Sequence, residues 1–338
     1  MGYGMFAIAA GPGPAKPAGF YINENVSVPQ YITTLNSSVT WRNSKYATTS
    51  QFGGWDGQGA LLIVPDKLAW MGAFVNEGMT FVLEQIQVTG DHRLELKIPY
   101  DYVAESMSFS FKIYKLWPQA DRGYGMSFYN SSDVMNITDS GTIGQCRWAW
   151  EGNIANSVSV PSYPNSFLYA HTNSFSVGLN FDGSTVRAYR NVNDASGVNN
   201  HDGASVYARL ALFSNNPDGV PVHNGGFNIY SPGGQRCVFS SYGAPFIVPG
   251  RGQAGNVNTG LQYPMGLLLP SYGAIYGSDG GSTSQHNRSL IISGSTISTG
   301  FGPRMYRGNL PAPQNILTNI SVPFLDARNY FDSIGHKL

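Results

Sequence analysis

The chain has 338 residues, and its 20 basic and 20 acidic side chains balance to a net charge of zero. A neutral chain has no global field to attract nucleic-acid phosphates or anionic lipid, which argues against polyanion binding as its main role. Charged residues make up only 12% of the chain, while it contains 41 glycines and 13% aromatic residues. Because exposed helix faces are normally filled with long charged side chains, this composition predicts an all-β protein with many turns.

The first predicted element is a strand, turn, strand pattern at the start of the chain. Residues 3–8 form the first strand, a Gly/Pro-rich turn covers residues 11–17, and residues 19–22 form the second strand. The opening residues are short in apolar length and have no basic segment, so we expect no targeting signal. No apolar run approaches the roughly 20 residues that span a bilayer, so no membrane insertion is expected.

The next clear hairpin is predicted at residues 81–98, with a turn at residues 89–92. In its second strand Leu94, Leu96 and Ile98 alternate with charged residues. A period of two places the apolar side chains on one face of a strand and the charged ones on the other. One face of this strand is therefore predicted to be buried and the other to be wet.

The most informative feature is an internal repeat, because residues 125–140 align with residues 226–241 without a gap. Each copy predicts a strand, a tight polar turn and a second strand, and residues 4–22 form a weaker copy with a longer turn. Strands at residues 109–114 and 206–213 precede the second and third copies, and residues 320–325 resemble them. This spacing predicts tandem antiparallel β-sandwich-like modules at residues 1–121, 122–223 and 224–338.

Two stretches, residues 191–203 and residues 273–287, are rich in small polar residues and lack apolar periodicity. We expect them to be long exposed loops, which are the usual carriers of recognition. Tyr272 and Tyr276 lie in or beside the second stretch, where they either recognise a partner or cover neighbouring strands. Trp148 and Trp150 are two residues apart and face the same side of a strand. Core packing is favoured for them over a stacking platform for a sugar or a partner.

The catalytic alternative requires a pair of carboxylates, as in an enzyme that cleaves glycans. Glu84, Glu95, Glu151 and Asp182 are the candidates, but Glu95 lies on a wet strand face and Asp182 precedes a glycine in a turn. The six histidines and the two cysteines, Cys146 and Cys237, do not have metal-site spacing. The sequence therefore predicts no enzyme activity, no cofactor and no metal, with both cysteines as packed free thiols.

The repeated motif has a glycine start followed by a hydrophobic strand, a polar turn and a second strand, and it occurs at residues 3–8, 124–140 and 226–241. Tyr precedes the glycine in the first two copies, and Gly225 stands there in the third. The motif resembles the β modules of tail-fibre and tail-tip structural proteins of tailed bacteriophages. The resemblance implies a virion tail protein made in the bacterial cytoplasm, without a cofactor. Its expected partners are copies of itself, with a trimer favoured, and neighbouring tail proteins, with a host surface receptor as an added contact. The alternatives are a capsid decoration protein and a glycan-binding or glycan-depolymerising tailspike.

Overall fold

A computed structural model describes residues 5–7, 20–22, 29–57, 60–71, 80–101, 104–115, 125–127, 136–138, 142–192, 204–215, 228–230, 237–240, 244–279, 282–308, 315–331 and 333–334. These residues form antiparallel strands and one short 3-10 helix, η1 (Ala327–Asn329), so the predicted all-β class is confirmed. The strands are β1 (Met5–Ala7), β2 (Phe20–Ile22), β3 (Gln30–Arg42), β4 (Tyr46–Thr48), β5 (Leu61–Pro65), β6 (Ala69–Met71), β7 (Thr80–Val82), β8 (Gln85–Val88), β9 (Leu94–Lys97), β10 (Ala104–Lys115), β11 (Gly125–Ser127), β12 (Asn136–Thr138), β13 (Thr142–Ile143), β14 (Gln145–Ala155), β15 (Ser157–Ser159), β16 (Phe167–Thr172), β17 (Ser174–Phe181), β18 (Thr185–Arg190), β19 (Ser205–Ser214), β20 (Asn228–Tyr230), β21 (Cys237–Ser240), β22 (Gly250–Gln253), β23 (Val257–Asn258), β24 (Pro264–Leu268), β25 (Gly273–Asp279), β26 (Ser282–Ser293), β27 (Thr296–Gly308), β28 (Ile316–Leu317) and β29 (Ser321–Asp326).

Strands β3 to β10 build the first body, which we call the N-terminal unit. Its main sheet has the order β13-β3-β10-β5, and two smaller sheets, β4-β9-β8 and β6-β7, complete it. The core between them is aromatic: Trp41 stacks on Trp70 with ring centroids 5.6 Å apart, and Trp70 stacks on Phe81 at 5.7 Å. The predicted hairpin lies here, and Leu94, Leu96 and Ile98 are fully buried, as the alternation indicated.

The second body is a two-sheet structure that we call the sandwich. One sheet has the order β14-β19-β16-β24-β29-β22, and the other has β15-β18-β17-β26-β25-β28 with β27 paired to β26. A Cβ atom on Gly266 of the first sheet would lie 3.0 Å from Leu290 and 3.3 Å from Ile297 of the second. The two sheets therefore pack face to face, and the missing side chain at Gly266 allows their close approach.

The sandwich does not follow the predicted boundary near residue 223. Strands from residues 145–214 form one half of each sheet, and strands from residues 250–326 form the other half. The two predicted modules, 122–223 and 224–338, are therefore corrected to one sandwich. The two halves pair edge to edge, β16 with β24 and β17 with β26, so that both sheets are continuous across the predicted boundary.

The three repeat copies form three antiparallel hairpins, β1-β2, β11-β12 and β20-β21. Each is a two-stranded sheet, as the aligned strand, turn, strand pattern predicted. The strands predicted beside them are also present as β10, β19 and β29.

The stretch at residues 273–287 is not an exposed loop. It forms part of the hairpin β25-β26, in which Tyr276 pairs with Gln285, and Ser284 and His286 are buried. His286 Nδ1 lies 3.2 Å from the Gly302 carbonyl, which only accepts, so Nδ1 carries the proton and Nε2 accepts from the Ser284 hydroxyl at 2.9 Å. Buried hydrogen bonds take the place of apolar alternation here, which is why the pattern was misread. The other predicted loop, residues 191–203, lies outside the described residues except for its first two.

The N-terminal unit and the sandwich are in direct contact. Tyr114 of β10 packs edge-on against Phe167 of the sandwich, and its hydroxyl donates to Asn215 Oδ1 at 2.7 Å. A second hydrogen bond of 2.6 Å joins the Thr318 hydroxyl to the Leu83 carbonyl. These contacts hold the N-terminal unit, including β10, against the sandwich.

Candidate functional site

A cavity of about 330 Å³ lies between the N-terminal unit and the sandwich. We call it the Lys112 cavity, after the charged side chain on its N-terminal wall. Cavities that bind small molecules begin at roughly this size and combine apolar walls with a few polar groups. The residues that line it are Pro65, Asp66, Lys67, Ser110, Lys112, Ser166, Phe167, Leu168, Phe181, Asp182, Gly183, Leu267, Leu268, Leu269 and Pro270.

Strand β10 positions Lys112. Its residues alternate, so that Phe109 and Phe111 enter the aromatic core while Ser110, Lys112 and Tyr114 face the sandwich. Lys112 is only 6% exposed, and its ammonium forms no ion pair or hydrogen bond with the described residues. Burial lowers the pKa of Lys112, because the charged form is partly removed from water, and the nearby Asp66 opposes this shift.

Asp66 lies directly after β5 on the same wall. Its carboxylate accepts a hydrogen bond of 3.1 Å from the Ser110 N–H, while its own N–H donates to the Ser110 carbonyl at 3.0 Å. Burial raises the pKa of Asp66, although the Ser110 hydrogen bond and the two neighbouring lysines lower it. A carboxyl and an amine with perturbed pKa values in one cavity are typical of a functional site.

The opposite wall comes from the sandwich. The turn between β17 and β18 contributes Asp182, whose Oδ1 accepts from the N–H groups of Ser184 and Thr185 at 2.9 and 2.8 Å. Partial burial would raise the pKa of Asp182, but these hydrogen bonds lower it below its usual value. Asp182 therefore serves its own turn and is not available as a partner for Lys112. The predicted turn chemistry at this residue is confirmed.

The sequence-predicted recognition residues lie elsewhere. Trp148 and Trp150 are half-buried and pack against the core, opposite the buried Leu212 and Leu210 of β19, which agrees with the core-packing alternative. Tyr272 is 1% exposed and covers neighbouring strands. Tyr276 is 39% exposed and is the one residue of the four whose side chain is available at the surface.

The predicted catalytic carboxylates have separate partners. Glu84 pairs with Lys97 at 3.0 Å, and Glu95 alternates with buried leucines on β9. Glu151 accepts hydrogen bonds from Tyr207, Arg209 and Ser333, each at 2.7 to 2.9 Å.

Desolvation would raise the pKa of Glu151, but the hydrogen bonds from Tyr207 and Ser333 and the charge of Arg209 lower it. Glu151 is therefore held in its charged form by these partners.

The structure also describes metal-binding residues, cysteine thiols and the lengths of helices. In the described part of the chain no group of three or more His, Cys, Asp or Glu residues is placed to hold a metal ion. Cys146 is a free thiol, and burial raises its pKa to about 12, which makes it unreactive. The side chain of Cys237 lies outside the described residues. Among those residues there is also no helix with the length and apolar character to cross a membrane.

Comparison with known proteins gives one match. The model of a family described as "Family of unknown function (DUF6453)" matches residues 4–309, which is most of the chain. Neither the curated proteins nor the solved structures contain a significant match.

Proposed function

This chain belongs to the DUF6453 family, and we propose that it is a structural subunit of a tailed-bacteriophage virion. In this proposal the subunit is part of the tail, as a tail-tip, tail-fibre or fibre-attachment component. The observation that carries the assembly role is the exposed part of one face of the main sheet in the N-terminal unit. The repeated hairpin motif, which resembles those of tail-fibre and tail-tip proteins, supports the tail location.

One face of β3 and β10 is covered by the sandwich at Lys112 and left exposed further along, where it carries small hydroxyl side chains. Ser38 and Ser108 lie opposite each other with their hydroxyl oxygens 2.7 Å apart, and Thr40 and Ser106 lie opposite each other at 2.8 Å. Both pairs are exposed. Short hydroxyl side chains lose little rotamer entropy when they are covered, and no ion has to be desolvated. Such a face suits contact with another protein subunit.

The expected partners are identical copies and neighbouring tail proteins. A trimer is favoured by analogy with phage fibres. Contact with a host surface receptor is an added role in this proposal. The exposed aromatic side chains Phe175, at 77% exposure, Tyr207 and Tyr276 support it, because aromatic residues are enriched where proteins bind partners.

The location is tested by a cryo-electron microscopy structure of an intact virion whose genome encodes this chain. Copies in threefold or sixfold rings at the tail end would agree with the proposal. Copies spread over the capsid lattice would make the chain a decoration protein, and absence from the particle would overturn the virion assignment. Release of oligosaccharide from host surface glycans by the purified chain would instead favour a depolymerising tailspike.

The contact face is tested by one substitution. Ser108→Arg places a long cation on the hydroxyl face and is expected to abolish self-association in sedimentation velocity while leaving the circular dichroism spectrum unchanged. Ser159→Arg is the matched control, since Ser159 is an exposed strand residue at the edge of the sandwich. Equal self-association of both variants would remove the β3-β10 face from the proposal.

A further inference from the structure

We propose that the Lys112 cavity binds a small organic carboxylate. The negative group would pair with the Lys112 ammonium, and the apolar body would lie against the side chains on the sandwich wall. This site would be independent of the tail assignment, because the ligand would lie between the two bodies of one chain, whereas the proposed assembly contact is the exposed part of the β3-β10 face at Ser106 and Ser108.

The first support is the missing partner of Lys112. The Lys112 side chain is largely removed from solvent, and buried lysines are almost always paired. Asp66 is the nearest acidic group that influences Lys112, yet no ion pair joins the two side chains. Its carboxylate is held by the Ser110 N–H on the neighbouring strand. The ammonium therefore faces the cavity without a counterion from the described residues.

The second support is the charge balance of the walls. Lys67 also lines the cavity, and its ammonium lies 5.8 Å above the Phe109 ring and 3.8 Å from Met107 Sδ, with no carboxylate bound to it. Of the two acidic groups, Asp182 is satisfied by its own turn, and its remaining oxygen lies 3.8 Å from Arg187. Asp66 is then the one carboxylate of the described walls set against Lys67 and Lys112, which leaves one net positive charge and favours an anion.

The third support concerns the kind of anion. The described residues that line the cavity include no arginine and no helix N-terminus, which are the groups that hold phosphate by several parallel hydrogen bonds. One buried ammonium matches one negative charge, so a monovalent carboxylate is favoured over a phosphate dianion. The rest of the wall is largely apolar, with Phe167, Phe181, Leu168, Leu268 and Pro270. This wall favours a ligand with an aromatic or aliphatic body.

The inference is tested by fluorine NMR with 4-fluorophenylacetate as the probe and the full-length chain as the protein. We expect the probe signal to broaden in the presence of the protein. The neutral isostere 4-fluorophenylacetamide has the same body without the charge, and it should bind about tenfold more weakly or worse. This comparison uses the unmodified protein, so it does not depend on the folding of any variant.

A variant then assigns the binding to this cavity. Lys112→Met keeps the length of the side chain and removes the charge, and it should weaken 4-fluorophenylacetate binding by about tenfold or more. Lys97→Met, which breaks a half-exposed ion pair with Glu84 outside the cavity, should leave the affinity unchanged. Thermal melting by circular dichroism checks that both variants are folded.

Three results would overturn the inference. The first is the absence of broadening with 4-fluorophenylacetate at millimolar concentration. The second is equal binding of the acetate and the acetamide, which would mean that the charge does not anchor the ligand. The third is unchanged affinity in folded Lys112→Met, which would place the bound probe elsewhere on the protein.

Discussion

The N-terminal unit and the sandwich bury different kinds of side chain. In the N-terminal unit the core is a stack of aromatic rings, and the indole N–H groups of Trp41 and Trp70 have no hydrogen-bond partner among the described residues. The larger sheet of the sandwich contains a buried polar layer in which donors meet acceptors, for example the Asn180 amide on the Pro270 carbonyl at 2.7 Å. One body therefore depends on shape and buried area, and the other depends also on matched hydrogen bonds.

The largest expected effect is on the aromatic core. Trp41→Ala should lower the free energy of unfolding by about 3–5 kcal/mol, because it opens a cavity beside Trp70 and Phe109. Tyr46→Ala, at an exposed position in the same unit, should cost no more than about 0.5 kcal/mol. Urea denaturation of the full chain measures both. A Trp41→Ala cost as small as that of the control would mean that ring packing does not stabilise this unit.

The polar layer should respond to a change of polarity. His286→Leu leaves the Ser284 hydroxyl and the Gly302 carbonyl without their hydrogen bonds and is expected to cost about 1–3 kcal/mol. Adding Ser284→Ala removes one of these unsatisfied groups, so the double variant should be more stable than the sum of the two single variants predicts. Additive costs in a double-mutant cycle would show that the two side chains do not act as a pair.

At the boundary between the two bodies, one substitution is expected to increase stability. Lys112→Met should raise the free energy of unfolding by about 1 kcal/mol at neutral pH, because it removes a buried charge without a partner. Since burial lowers the Lys112 pKa in the folded state, the gain should be full below the folded pKa, where the amine is charged in both states. It should fade at alkaline pH, where the amine is neutral in both states. Lys97→Met serves as the surface control, and a loss of stability in Lys112→Met would contradict the unpaired state of the ammonium.

The smallest expected effect is on the stability of the protein at acidic pH. Burial lowers the pKa of His171, although its hydrogen bond of 2.8 Å to the Pro264 carbonyl opposes this shift. The folded state thus favours neutral His171, so its contribution to stability is present above pH of about 6.5 and is lost as the pH falls through the folded pKa. His171→Gln keeps a donor for Pro264 and should reduce the acid sensitivity of unfolding. Identical pH profiles for the two proteins would exclude His171 as a source of that sensitivity.

Much of the fold was predictable because period-two alternation and turn residues are local signals. The buried Leu94 and Leu96 and the three repeated hairpins follow directly from them. The β25-β26 hairpin was missed because Ser284 and His286 are buried by hydrogen bonds and not by apolar character. A local pattern does not reveal which distant carbonyl will satisfy a polar side chain.

The candidate site was missed for a related reason. The sequence predicts a strand at residues 109–114, in which Ser110 and Lys112 alternate with apolar residues. The sandwich covers the polar face through contacts such as Tyr114 with Phe167, more than fifty positions away along the chain. Sequence shows which side of β10 is polar, but only the packing of the two bodies shows that the polar side is enclosed.

The connection between β13 and β14 has a mechanical consequence. Strand β13 belongs to the main sheet of the N-terminal unit, and β14 begins the sandwich after a single residue, Gly144. A side chain at Gly144 would press against Asn215 Oδ1 at 3.0 Å and Phe246 Cβ at 3.2 Å, so the link is also tightly enclosed. A pulling force along the chain would pass directly from one sheet to the other, because the single linking residue cannot extend. The two bodies would therefore bear tension as one rigid element, and the space between them would keep its width under load.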